Sequence, residues 1–149
     1  MPLETRIALI AALVLFALLA GVFWKQRTGR AKLVRSGELV DLGKLKAKKN
    51  GKQVTTFGKK ATLLQFSTEV CSVCKQTAQI FSELEKKHAD LLHLEVDVTN
   101  RLDLAAHFSV MQTPTTLILD KSGKVVSRIG GGPRPNVITE ELNKLEIKI

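Results

Sequence analysis

The chain is poor in the side chains that metal and hydrolytic chemistry use. It has only two cysteines and three histidines in 149 residues. A structural zinc site takes four ligands, commonly two Cys-x-x-Cys pairs or one pair with closely spaced histidines. Cys71 and Cys74 make one pair, but His88, His93 and His107 are scattered without ligand spacing. No metal site is therefore expected. His88 lies near a helix end and His93 on the polar side of a strand, where plain structural roles suffice. No Ser-His-Asp order, phosphate-binding glycine loop or paired carboxylates emerge, which argues against hydrolase and nucleotide chemistry. There is no internal repeat and no low-complexity tract. The single tryptophan, Trp24, closes an apolar run rather than marking a site.

What is present is strongly positional. The net charge is +9, yet residues 25–60 carry twelve Lys/Arg against Glu38 and Asp41, while residues 61–149 are close to neutral. The basic character is local, so no nucleic-acid surface is expected on the domain itself. The run Lys44, Lys46, Lys48, Lys49, Lys52 lacks interleaved aromatics and reads as a solvated face.

Ile7 to Trp24 is eighteen residues without a charge. As a helix it spans roughly 27 Å, close to a bilayer core, and a terminal tryptophan suits the interface. A cleaved signal peptide fits less well. Glu4 offsets Arg6 before the run, the run is long, and a cut after Ala20 would put Leu18 where a small residue is wanted. The segments expected are an N-terminal transmembrane anchor over 1–24, a basic juxtamembrane linker over 25–60 and a folded domain over 61–149. Lys25, Arg27, Arg30, Lys32 and Arg35 follow the span before any acid. The positive-inside rule then puts the C-terminal domain on the cytoplasmic side, with the extracytoplasmic side as the alternative. The same basic collar suits anionic lipid headgroups. Within the linker, Glu38–Leu42 and Gln53–Phe57 suggest short strands, and Asn50-Gly51 suggests a turn.

The domain has an alternating order of elements. Leu63–Phe66 reads as a buried strand, and a helix follows Cys71 with Phe81, Leu84 and His88 on one face. Leu91–Val98 alternates, with Leu92, Leu94, Val96 and Val98 against His93, Glu95 and Asp97. Leu102–Phe108 is a short helix, with Asn100 as its candidate cap. Thr115–Leu119 and Lys124–Ile129 form a hairpin about Asp120–Gly123, and Pro135 opens a last helix running to about Leu145. This pattern implies an α/β fold with a mixed central sheet flanked by helices: a parallel βαβ half, then an antiparallel half.

The two cysteines stand as Cys71-Ser72-Val73-Cys74, between a buried strand and a helix start. A helix N-terminus favours thiolate through its unsatisfied N–H groups, so this is a redox arrangement. With Leu64-Gln65-Phe66 before the pair, Thr113-Pro114-Thr115 before a strand and Gly130-Gly131 after the hairpin, residues 61–147 resemble the thioredoxin family. The resemblance is to a membrane-anchored bacterial member. It implies a thiol–disulfide oxidoreductase with Cys71 as nucleophile and Cys74 as resolving cysteine, joined as a disulfide when oxidised. It further implies that the Thr113–Pro114 peptide is cis and that Thr113, Pro114 and Gly130 border the substrate groove. Protein disulfides and an upstream thiol reductant would be the partners, with no cofactor beyond the cysteine pair. Three positions depart from the family pattern. Val70 stands for its tryptophan, Ser72-Val73 for Gly-Pro, and Gln65 for a buried aspartate. Gln65 cannot take a proton, which leaves water or Glu69 to assist Cys74. A non-catalytic thioredoxin-fold binding module is the alternative function.

Overall fold

The computed structural model describes residues 2–27, 29–33, 37–49 and 51–148, without the Arg27 side chain. Asn50 of the expected turn and Arg35 of the basic collar lie outside these residues. The elements run α1 (Leu3–Arg27), β1 (Ala31–Leu33), α2 (Leu42–Leu45), β2 (Lys48–Lys49), β3 (Lys52–Gln53), β4 (Ala61–Ser67), α3 (Ser72–Lys87), β5 (Leu91–Asp97), α4 (Leu102–His107), β6 (Thr115–Asp120), β7 (Val125–Gly130) and α5 (Pro135–Lys144).

The main sheet has the order β1-β7-β6-β4-β5. Strand β4 runs parallel to β5, with Leu64 opposite Leu94, and antiparallel to β6, with Leu64 opposite Leu117. Strand β7 pairs antiparallel with β6 and carries β1 on its outer edge. A βαβ unit followed by a hairpin accounts for the mixture of directions.

All seven residues of β4 are buried. Alternation along the pleat sends its side chains into two separate cores. Leu64 and Phe66 join Leu94, Val96, Leu117 and Leu119 on one face, covered by Leu42 and Leu45 of α2 and Leu104 of α4. Leu63 joins Ile118 and Ile129 on the other, covered by Phe81 of α3 and Ile138 and Leu142 of α5. The result is helix, sheet, helix in three layers.

Much of the expected linker is folded. Asp41 caps α2, its carboxylate accepting the Gly43 N–H at 2.8 Å, and Lys46 closes it in the left-handed region. Val40, Leu42, Leu45 and Ala47 are buried. The lysines between them point outward, so a basic run conceals an apolar side facing the sheet. The strand expected over Glu38–Leu42 is reduced to a bridge between Leu39 and Lys124. The one over Gln53–Phe57 contracts to β3, paired only with β2.

Two local readings are corrected. Helix α4 has Arg101, not Asn100, at its cap position, with no side-chain cap bond. His93 is buried, not on a polar face. Strand β5 is covered on both sides at that point, and the His93 ring meets Phe81 edge-on at 5.4 Å.

Leu45 is 2% exposed, so Leu45→Ala should lower the unfolding free energy by about 2–5 kcal/mol. Chemical denaturation of the full chain checks this. A change of less than about 0.5 kcal/mol, as at a free surface position, would return residues 42–47 to the status of a linker.

Candidate active site

Strand β4 ends at Ser67, and a three-residue turn delivers Cys71 to the cap position of α3. The Cys71 backbone is extended, and its Sγ accepts the Cys74 N–H at 3.1 Å. The sulfur thus uses one of the donors that a helix start leaves unpaired. Cys71 and Cys74 are joined as a disulfide, with Cα atoms 5.2 Å apart. Cys71 is half-buried, whereas Cys74 is 1% exposed. The outer sulfur is reachable from solvent and the inner one is not.

Two loops close around the pair. The Thr113–Pro114 peptide is cis, and Pro114 is buried. Thr113 Oγ1 lies 3.3 Å from Thr68 Oγ1, which ties this loop to the turn that carries Cys71. The Gly131 N–H donates to the Pro114 carbonyl at 2.7 Å. Gly131 has φ +80°, a conformation that suits glycine. A Cβ on Gly132 would sit 3.0 Å from Val73 Cγ1, so the glycine loop also reaches the residue between the cysteines. Gly130 is opposite Thr115, the first residue after Pro114 in the sheet. Cys71, Cys74, Thr113, Pro114 and Gly130 therefore converge. The surface around them is apolar: Val70 is 97% exposed, Met111 92% and Val73 44%.

Beneath Cys74 lies a polar pair. Gln65 Nε2 donates to the Cys74 carbonyl at 2.9 Å, and His93 Nε2 is 3.3 Å from Gln65 Oε1. Gln65 thus holds the backbone of the second cysteine, a positional role that needs no proton. The His93 backbone N–H donates to Glu85 Oε1 at 3.3 Å. Glu85 also pairs with Lys49, whose ammonium donates to the His93 carbonyl at 3.1 Å. Burial pushes the His93 imidazole down to about 4; Glu85 opposes this and Lys49 reinforces it. The ring is neutral at neutral pH, and its Nε2 donates to Gln65 if the proton is on that nitrogen. Glu69, the other candidate to assist Cys74, is exposed, and its N–H donates to Thr99 Oγ1 at 3.2 Å. His93 is the residue that sequence reasoning misplaced. No local signal marked it; in the sheet it stands opposite Leu63 of β4. Among the described residues, no group of three or more potential metal ligands comes together.

The thioredoxin family model matches residues 42–144, more than half of the chain. The chain belongs to the thioredoxin family. The match begins at α2, inside the stretch expected to be a linker. Thioredoxin H9 of Arabidopsis thaliana is 33% identical over 78 residues, covering 52% of this chain and 55% of the relative. A thioredoxin H-type protein of Brassica campestris is 28% identical over 100 residues, covering 67% and 81%. The chain spans about half the length of the first two curated relatives it matches, at 53% and 55%. Among solved structures, a poplar wild-type thioredoxin h superposes with a TM-score of 0.53 at 29% identity, covering 60% of this chain and 79% of that one. The matched region runs from α2 to α5, and the departures at Gln65, Val70 and Val73 sit inside it.

The buried neutral His93 gives a signed prediction. Its folded value of about 4 lies below the ordinary 6.5, so the unfolded chain binds the proton first as pH falls. The contribution is intact above pH 6.5 and is lost progressively down to about pH 4, by roughly 3 kcal/mol in all. Thermal melts should show His93→Gln, which keeps a donor for Gln65, with a shallower loss of stability across this window. An unchanged slope would contradict it.

Proposed function

We propose that this thioredoxin-family protein is a membrane-tethered thiol–disulfide oxidoreductase that reduces protein disulfides. The observation that carries the reading is the convergence on one surface of half-buried Cys71, buried Cys74 and the Pro114 loop. In the reduced protein, the α3 N-terminus and the Cys74 N–H favour the Cys71 thiolate. That thiolate attacks one sulfur of a substrate disulfide. The substrate S–S bond breaks, a mixed disulfide forms, and the departing substrate sulfur takes up a proton. Cys74, deprotonated, then attacks Cys71 Sγ. The mixed disulfide breaks, the second substrate thiol is released, and the Cys71–Cys74 disulfide of the present structure remains. Two electrons pass from the cysteine pair to the substrate, and an upstream dithiol returns them. Gln65 fixes the Cys74 carbonyl while taking no proton. The exposed Val70, Val73 and Met111 offer an apolar surface to a polypeptide rather than a cradle for a small ligand.

The tether is α1. Leu3–Gln26 is long and apolar enough to cross a bilayer, and none of it is buried within the protein. Exposed apolar side chains from Ile7 to Trp24 then find their partners in lipid. The basic residues that follow favour a cytoplasmic domain and contact with anionic headgroups. A cytoplasmic setting keeps the pair reduced and makes the protein a reductase.

A disulfide-reduction assay on the full chain should show Cys71→Ser slower than the wild type by on the order of 10³-fold. Equal rates in both would sink the exchange reading and leave a binding module. A reporter fused after Ile149 is expected to report a cytoplasmic C-terminus; activity of an outside-only reporter would reverse the sidedness.

A further inference from the structure

Strand β1 places a second set of charges beside the site. It pairs antiparallel with β7, with Lys32 directly opposite Arg128. Like charges in register across two strands destabilise a sheet unless something neutral or anionic intervenes. Arg30, two residues before Lys32, lines the same cleft of about 190 Å³ with both of them. Ser109, Met111, Gln112, Thr115 and Gly130 of the loops around Pro114 complete it. Arg30 and Lys32 are exposed and Arg128 is half-buried, so Arg128 lies deepest. One of its terminal nitrogens donates to the Phe108 carbonyl, but its Nε is buried without an acceptor. Burial lowers the readiness of this guanidinium to hold its proton, and Glu38 acts the other way. Glu38 lies outside the cleft, pairing with His107 at 3.2 Å on the neighbouring surface. Among the described residues, no Asp or Glu lines the cleft.

We propose that this cleft is a subsite for a carboxylate of the substrate polypeptide, so that the enzyme selects disulfides with an acidic residue close by. This rests on the exchange at Cys71 proposed above. Three cations lining one cleft with no acid among the described lining residues are complementary to an anion. The cleft also shares Gly130, Gln112 and Thr115 with the Pro114 surroundings, where a polypeptide engaged with Cys71 must pass. A lipid headgroup would call on the exposed Arg30 and Lys32 alone; the position of half-buried Arg128 in the same cleft favours the substrate.

The test uses the full-length protein in neutral phosphatidylcholine nanodiscs. Two disulfide-bearing peptides differ only in having Asp or Lys beside the cysteine, and 2-hydroxyethyl disulfide serves as the uncharged reference. The Asp peptide should be reduced faster than the Lys peptide, by on the order of tenfold at low salt. That ratio should fall towards one at about 0.5 M salt. In the double variant Arg30→Glu/Lys32→Glu the preference should invert to the Lys peptide, an outcome that misfolding would not produce. Equal wild-type rates for the two peptides would overturn the proposal, as would an Asp preference that survives in the double variant. It would equally fall if the variant lost only its binding to phosphatidylserine vesicles, which would assign the cations to headgroups. Wild-type inactivity towards 2-hydroxyethyl disulfide would remove the exchange reading itself, and the subsite with it.

Discussion

The structure depends on β4. It is the strand bonded to both β5 and β6, and every one of its residues is buried. Leu63 points to one core and Leu64 and Phe66 to the other, so the strand is the seam at which both helical layers are fastened. Each such side chain contributes about 1.5–3 kcal/mol of burial. The same strand also aims the chemistry. Its end lies under the turn to Cys71, its Gln65 holds Cys74, and Thr68 just beyond it meets Thr113. A shift of β4 by one residue would exchange its two faces and remove the cysteines from the Pro114 loop.

The interior beneath Cys74 is polar but short of titratable groups. Gln65 bridges the Cys74 carbonyl and His93, and His93 leads on to Glu85 and Lys49. A buried amide is tolerable because both of its ends have partners. Lys49 belongs to the stretch that reads as a linker, yet it completes this chain of contacts. The N-terminal basic segment is accordingly part of the architecture of the site. Strand β1 extends this, adding its cations at the outer edge of the sheet.

Much of this was legible from local pattern. The apolar run at Leu63–Phe66, the hairpin about Asp120–Gly123 and Pro135 at a helix start all rest on neighbours in sequence, and the structure has them. The Cys-x-x-Cys spacing between strand and helix was enough to place Cys71 and Cys74. The rest depends on contacts across the chain. Leu42 and Leu45 lie among lysines, and only the packing against β4 shows their burial. Alternation put His93 with Glu95 and Asp97, but α3 covers that face at His93 and leaves it open further along. The cationic cleft requires the β1–β7 register, a pairing of residues almost one hundred positions apart. No local signal carries such information.

In the proposed exchange Cys71 is the attacking sulfur and Cys74 the one that releases the substrate. The most direct measurement is peptide mapping by mass spectrometry of full-length Cys74→Ser protein incubated with a disulfide-bonded protein. A mixed disulfide on Cys71 that persists until a dithiol is added is the expected result. Reduction of the substrate while the Cys71 thiol stays free and open to alkylation would contradict it.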